Sequence, residues 1–112
     1  MVDGFWTVEF IGIPGFTGGG VVLLSKGKLL GGDSQYYYTG QYTENKDTLD
    51  AHVIVNAFVA QPASVFGTNE QKFGLNLSGA IGSQVINANG SRAENPKMTM
   101  KLRLTRRGDI PA

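Results

Sequence analysis

Lys97-Met98-Thr99-Met100-Lys101-Leu102-Arg103-Leu104-Thr105-Arg106 alternates by single residues: every even position through Leu104 is apolar and every odd one polar. Period two is the spacing of a strand that buries one face. A helix would scatter those four apolar side chains round its circumference. The segment therefore reads as a strand, near 97–106.

Working back along the chain, the same rhythm recurs. Trp6, Val8 and Phe10 share a face, with Thr7 and Glu9 opposite. Tyr36, Tyr38 and Tyr42 share one with Gly40. Leu49, Ala51, Val53, Val55 and Ala57 line a long strand whose other face carries Asp50, His52 and Asn56. Phe73, Leu75 and Leu77 alternate with Lys72, Gly74, Asn76 and Ser78.

Turn chemistry separates these runs. Lys26-Gly27 reads as a tight hairpin, because glycine accepts the positive φ such turns demand. Asn89-Gly90 is the strongest short hairpin signal in the chain. Glu44-Asn45-Lys46-Asp47 and residues 79–82 read as two further turns, and Gly31-Gly32-Asp33 as a bend or bulge with the aspartate capping turn N–H groups. An irregular stretch from about 59 to 69, containing Pro62, has room for a short helical turn. Eight strands result, near 5–12, 18–25, 28–33, 35–43, 48–58, 70–78, 83–89 and 97–106. Short connections favour antiparallel neighbours in sequence order. The fold expected is all-β: an eight-stranded antiparallel up-and-down barrel, lipocalin or calycin-like, which hides its edges by closing. A two-sheet sandwich is the alternative.

Composition agrees with one such domain over 1–112. The chain has 112 residues, 16 of them glycine, and only 17% are charged, below the usual quarter. Net charge is +1, so no overall field points to nucleic acid. With no cysteine there is no disulfide scaffold and no thiolate metal site. No run approaches the roughly 18 apolar residues of a membrane helix, and the first residues lack the basic and apolar regions of a signal peptide. The expectation is a cytoplasmic protein without membrane contact, in which the Asn-x-Ser sequences at Asn76 and Asn89 are ordinary strand and turn chemistry.

Candidate chemistry is sparse. The only histidine, His52, falls on an outward face between Asp50 and Ile54, and nothing resembles a nucleophile elbow. The expectation is a protein that is not an enzyme and holds no metal or cofactor. Gly12, Gly15, Gly18, Gly19 and Gly20 lead into a strand, not into the helix start a phosphate-cradling loop requires. Lys97, Lys101, Arg103, Arg106 and Arg107 concentrate positive charge near the end of the chain. They read as a solvated outer face or, alternatively, as a docking surface for an acidic partner. Single-strand nucleic-acid binding would want aromatics among them, and there are none.

Two surfaces remain. Phe5, Ile11, Tyr37, Ile54 and Phe58 fall opposite the core face, and a contiguous patch of this kind marks an interface; a homodimer burying some of them is expected. Inside the barrel, Trp6, Phe10, Tyr36, Tyr38, Tyr42, Val53, Phe73, Met98 and Met100 either pack a filled core or contact a small apolar ligand. Tyrosine hydroxyls complicate a filled core, because a buried one wants a partner.

Gly4-Phe5-Trp6 is similar to the Gly-x-Trp signature of lipocalin-type barrels. More broadly, Gly31-Gly32-Asp33, Tyr38-Thr39-Gly40, His52-Val53, and Pro62 followed by Ser64-Val65 resemble the GrlR-like family of type III secretion regulators. The resemblance spans about Gly4 to Leu104. It implies a lipocalin-like barrel, a homodimer, and a negative regulator that sequesters a helix-turn-helix activator without catalysis or DNA contact. It also implies that the turn after the fourth strand holds the basic activator through a Glu-Asp-Glu-Asp run. The corresponding turn is Glu44-Asn45-Lys46-Asp47, whose net charge is −1. Each exposed ion pair is worth only about 0.2–1 kcal/mol, so capture of a basic partner there is expected to be much weaker.

Overall fold

The computed structural model describes residues 2–11, 19–60, 62 and 70–111, and contains eight strands. They are β1 Gly4–Ile11, β2 Gly19–Ser25, β3 Lys28–Gly32, β4 Tyr36–Asn45, β5 Thr48–Ala57, β6 Lys72–Ile81, β7 Val85–Arg92 and β8 Thr99–Gly108. Each pairs antiparallel with the next, and β1 pairs with β8, so the sheet closes into a barrel in sequence order. That is the up-and-down barrel expected from the alternation. The sandwich is excluded by the β1–β8 seam, which runs from Phe5 opposite Gly108 to Ile11 opposite Lys101 with one register shift after Phe5.

Two connections are two-residue hairpins. Lys26 and Gly27 both have positive φ (50° and 82°), the twist that matches paired strands. Between Asn45 and Thr48, only Lys46 does (φ 53°). The aspartate cap is also present: Asp33 Oδ1 accepts from the N–H groups of Gln35 and Tyr36, both at 2.8 Å. The bend follows Gly31-Gly32, which themselves lie in β3 in unbroken register with Val22 and Val21.

Other turn expectations fail, for one physical reason. Asn89 and Gly90 lie inside β7, with Gly90 opposite both Leu77 and Met100. Likewise Gly79 lies inside β6, and the turn comes later, at 82–84. Neither glycine has the positive φ of a turn. A Cβ at Gly90 would lie 3.0 Å from Leu77 Cδ2, and one at Gly79 2.9 Å from Ile86 Cγ2. These glycines serve close packing inside the barrel, which a dipeptide rule for turns cannot distinguish. In consequence β7 ends at Arg92 and β8 starts at Thr99. Lys97 and Met98 belong to the connection between them, so Met98 is no strand residue of the interior and Lys97 no member of a strand stripe. The helical turn expected near 59–69, and Gly12, Gly15 and Gly18, fall mostly or wholly outside the described residues.

The alternating apolar faces meet inside. Trp6, Leu24 and Ile86 are almost fully sequestered, and Val22, Leu29, Leu49, Val53, Leu102 and Leu104 pack around them. Each such side chain contributes about 1.5–3 kcal/mol on burial. One end of the barrel carries the hairpins at 26–27 and 46–47, the 82–84 turn, and residues 2–3. There Trp6 Nε1–H donates to Val2 O (3.0 Å), the Val2 N–H to Glu44 Oε1 (3.1 Å), and the Lys26 N–H to Asp3 Oδ2 (3.2 Å). This end is sealed. The opposite end carries, among the described residues, the β3–β4 corner at 33–35 and the β7–β8 connection at 93–98.

Candidate functional site

On the outer wall, cross-strand pairing assembles an apolar band. Phe5 lies opposite Leu23, Leu23 opposite Leu30, Leu30 opposite Thr39, and Thr39 opposite Ile54. In the next row toward the β3–β4 corner, Val21 and Tyr37 flank Gly32, which has no side chain to separate them. Val21, Leu30 and Tyr37 are 54%, 51% and 48% exposed. Phe58, at 58%, lies just past β5, its N–H donating to Gln35 O (2.9 Å).

Of the five expected interface residues, Phe5, Tyr37, Ile54 and Phe58 border this band. Ile11 does not, since it sits six positions along β1, opposite Lys101. Val21, Leu23 and Leu30, the centre of the band, escaped the sequence reading. Their signal was the absence of alternation: 21–24 and 29–30 are apolar on both faces.

The end of the barrel opposite Val2 holds the second cluster. Arg92 continues the inward face of Ile86, Ala88 and Gly90, and is only 4% exposed. Its Nη1 and Nη2 donate to Glu70 Oε1 and Oε2 at 2.9 and 2.6 Å, and its Nε to Glu94 Oε2 at 3.3 Å. The Arg92 hydrogen bond holds the Glu70 carboxyl below the usual carboxylate range. Glu94 is lowered chiefly by its own N–H and that of Gly74, which donates at 3.2 Å. Sequence reading missed Arg92 because the presumed Asn89-Gly90 hairpin cut its strand short.

Three tyrosines share the inward face of β4 and meet different fates. Tyr42 donates to Asp3 Oδ1 (3.4 Å) at the sealed end, and Tyr38 donates to Asp33. Tyr36 packs edge-on against Phe73, ring centroids 5.9 Å apart, and its hydroxyl is buried without a hydrogen-bond partner among the described residues. Val53, Phe73 and Met100 are buried in the core, with Phe10 and Tyr38 packed half-buried against it.

Elsewhere, the turn that resembles the acidic motif is exposed, but Glu44 is engaged with Val2. Three of the five basic residues are also occupied: Arg107 Nε donates to Thr7 Oγ1 (2.9 Å), Arg106 Nη2 to Asp3 O (3.0 Å) and Asp109 (2.5 Å), and Arg103 Nε to Asn87 (3.4 Å). His52 is exposed and meets Asn76 through Nδ1 at 2.7 Å. A shallow open groove of about 570 Å³ runs over the outer faces of β5–β8, lined mainly by Asp50, Asn76, Ser78, Asn89, Ser91 and Thr99. Among the described residues no three His, Cys, Asp or Glu side chains gather as a metal site. No helix among them is long and apolar enough to cross a membrane.

Fold and surfaces together define the class: an eight-stranded, lipocalin-like antiparallel barrel with an apolar outer band and a cluster of Arg92, Glu70 and Glu94 at one end. No protein-family model matches the chain, and no curated protein matches its sequence.

Proposed function

We propose that this is a non-catalytic regulatory binding protein, acting by protein–protein contact through the outer wall centred on β2–β4, and first of all by forming a homodimer. The observation that carries the reading is a contrast between inside and outside. The inward faces form one buried apolar core, in which Trp6, Leu24 and Ile86 are almost fully sequestered. Meanwhile Val21, Leu30 and Tyr37 stand half-exposed side by side. An apolar patch of this kind marks an interaction surface, and the filled interior weighs against the alternative, a carrier of a small hydrophobic ligand.

The resemblance to the GrlR-like family extends the proposal to a cytoplasmic negative regulator of type III secretion that sequesters an activator. The reduced charge of Glu44-Asn45-Lys46-Asp47 shifts the weight of partner contact from that turn to the apolar wall.

Sedimentation at micromolar concentration tests the central claim. The wild type should be a dimer, and Leu30→Glu should be a monomer with an unchanged melting temperature. A monomeric wild type removes the dimer. Unchanged expression of secretion genes after deletion of the gene removes the regulatory role.

A further inference from the structure

On the far side of the closed barrel from β2 and β3, the outer wall at β6 and β7 carries a different pattern. Asn76-Leu77-Ser78 and Asn89-Gly90-Ser91 run antiparallel there, with Asn76 opposite Ser91 and Ser78 opposite Asn89. Leu77 and Gly90 face the core, so amide and hydroxyl alternate outward along each strand and between the two. Asp50 extends the array on β5, opposite Ser78, and Thr99 extends it on β8, opposite Ser91. Neighbouring strands stand about 5 Å apart, and same-face residues of one strand about 7 Å. Four side chains at those spacings mark out a patch about the size of one pyranose ring with its hydroxyls.

The groove of about 570 Å³ lies over this array and is lined also by Pro96 of the β7–β8 connection. Backbone hydrogen bonds hold that connection in place: Met98 N–H to Asn95 O (2.9 Å), Asn95 N–H to Arg92 O (3.3 Å) and Arg92 N–H to Met98 O (3.0 Å). The side chains of Asp50, Ser78, Asn89, Ser91 and Thr99 form no hydrogen bond with any described residue. Asn76 does, through Oδ1 to His52 Nδ1 (2.7 Å), and so keeps its amide N–H donors.

The chemistry of the lining selects the ligand. Amides and hydroxyls both donate and accept, whereas the Asp50 carboxylate only accepts. An anion would meet the Asp50 charge, and a metal cation would find a single carboxylate. An apolar molecule would strip water from these groups and return no hydrogen bond. A sugar meets none of these obstacles. Its adjacent hydroxyls donate and accept in pairs, as the planar ends of Asp50, Asn76 and Asn89 can answer, and its C–H face suits the Pro96 ring. We propose that this groove binds an uncharged carbohydrate, held by hydrogen bonds from its hydroxyls to Asp50, Asn76 and Asn89. The site goes beyond the protein contact proposed above and lies away from the β2–β4 wall, so either proposal can fail alone.

The test is a titration of ¹⁵N-labelled protein, following amide shifts, with three neutral trisaccharides (maltotriose, mannotriose and triacetylchitotriose), trigalacturonate and capped trialanine. At least one neutral trisaccharide should give saturable shifts at Asp50, Asn76, Asn89, Ser91 and Thr99, and none at Leu30 or Tyr37. Trigalacturonate offers hydroxyls together with negative charge and should bind far more weakly, until Asp50→Asn removes the repulsion. Asn89→Ala should lose about tenfold in affinity, the equivalent of one hydrogen bond. It should melt as the wild type does, because the Asn89 side chain bonds to no other described residue. The proposal is overturned if no neutral trisaccharide saturates, or if trigalacturonate or capped trialanine binds the wild type as tightly. Full affinity in Asn89→Ala, or an Asp50→Asn variant that still rejects trigalacturonate, also overturns it.

Discussion

The guanidinium carbon of Arg92 stands 4.5 Å from the centroid of the Phe73 ring, so a buried cation lies against an aromatic ring while its nitrogens reach outward to Glu70 and Glu94. The carboxylates are about half exposed and the guanidinium is not. The pair thus brings the end of β7, the start of β6 and the β7–β8 connection together at the rim of the barrel.

Arg92→Ala should lower stability by about 2–3 kcal/mol in urea unfolding, since it removes the packing and the cation–π contact and leaves two carboxylates facing each other. A loss under about 0.5 kcal/mol, the range of an ordinary surface substitution, would show that the rim contributes little. The acid dependence follows in sign. The Glu70 and Glu94 carboxyls titrate lower in the folded protein than the usual value of about 4.3. Their stabilisation is therefore complete above that value and is lost as pH falls through the folded values. Urea midpoints should drop between about pH 5 and 3, and Arg92→Ala should flatten that drop.

Tyr38→Phe should behave unlike Tyr36→Phe, which removes a hydroxyl without a partner among the described residues, although the two tyrosines share one face of β4. The Tyr38 hydroxyl donates to Asp33, which also caps the β3–β4 corner. Losing a hydrogen bond to a charged group should cost about 1.5–3 kcal/mol. Burial first, and then the bond to Asp33, holds this phenol's proton on well beyond the ordinary tyrosine range. The folded state thus favours the neutral phenol. Its contribution is intact below about pH 10 and declines above, where the unfolded phenol ionises. Alkaline difference spectra should show Tyr38 ionising only with unfolding. Early ionisation of all four tyrosines would contradict the contact.

Lys46→Gly should stabilise the protein by about 0.5–1 kcal/mol, because Lys46 holds a positive φ that costs an L-residue and not glycine. At the other hairpin, Gly27 has φ 82°, and Gly27→Ala should destabilise by about 1 kcal/mol. Equal and negligible effects in thermal melts would mean that neither turn is held tightly.

Alternation along β1, β4, β5, β6 and β8 is a local property, so sequence alone established strand identity and the inward faces, while the choice of closed barrel over sandwich was decided by the β1–β8 pairing. The Lys26-Gly27 hairpin and the Asp33 cap were legible for the same reason: each depends on residues adjacent in the chain. Asn89-Gly90 was not legible. Whether such a pair turns or continues depends on Leu77 and Met100, which pack against Gly90 from neighbouring strands.

The outer band and the Arg92–Glu70 pair have the same origin. Val21, Leu30 and Tyr37 become a surface only when the register sets three strands side by side, and Arg92 finds Glu70 only when β6 and β7 pair. Periodicity along one segment specifies which way a side chain points. What it points at is settled by hydrogen-bond register between segments distant in sequence, and that register forms only when the barrel closes.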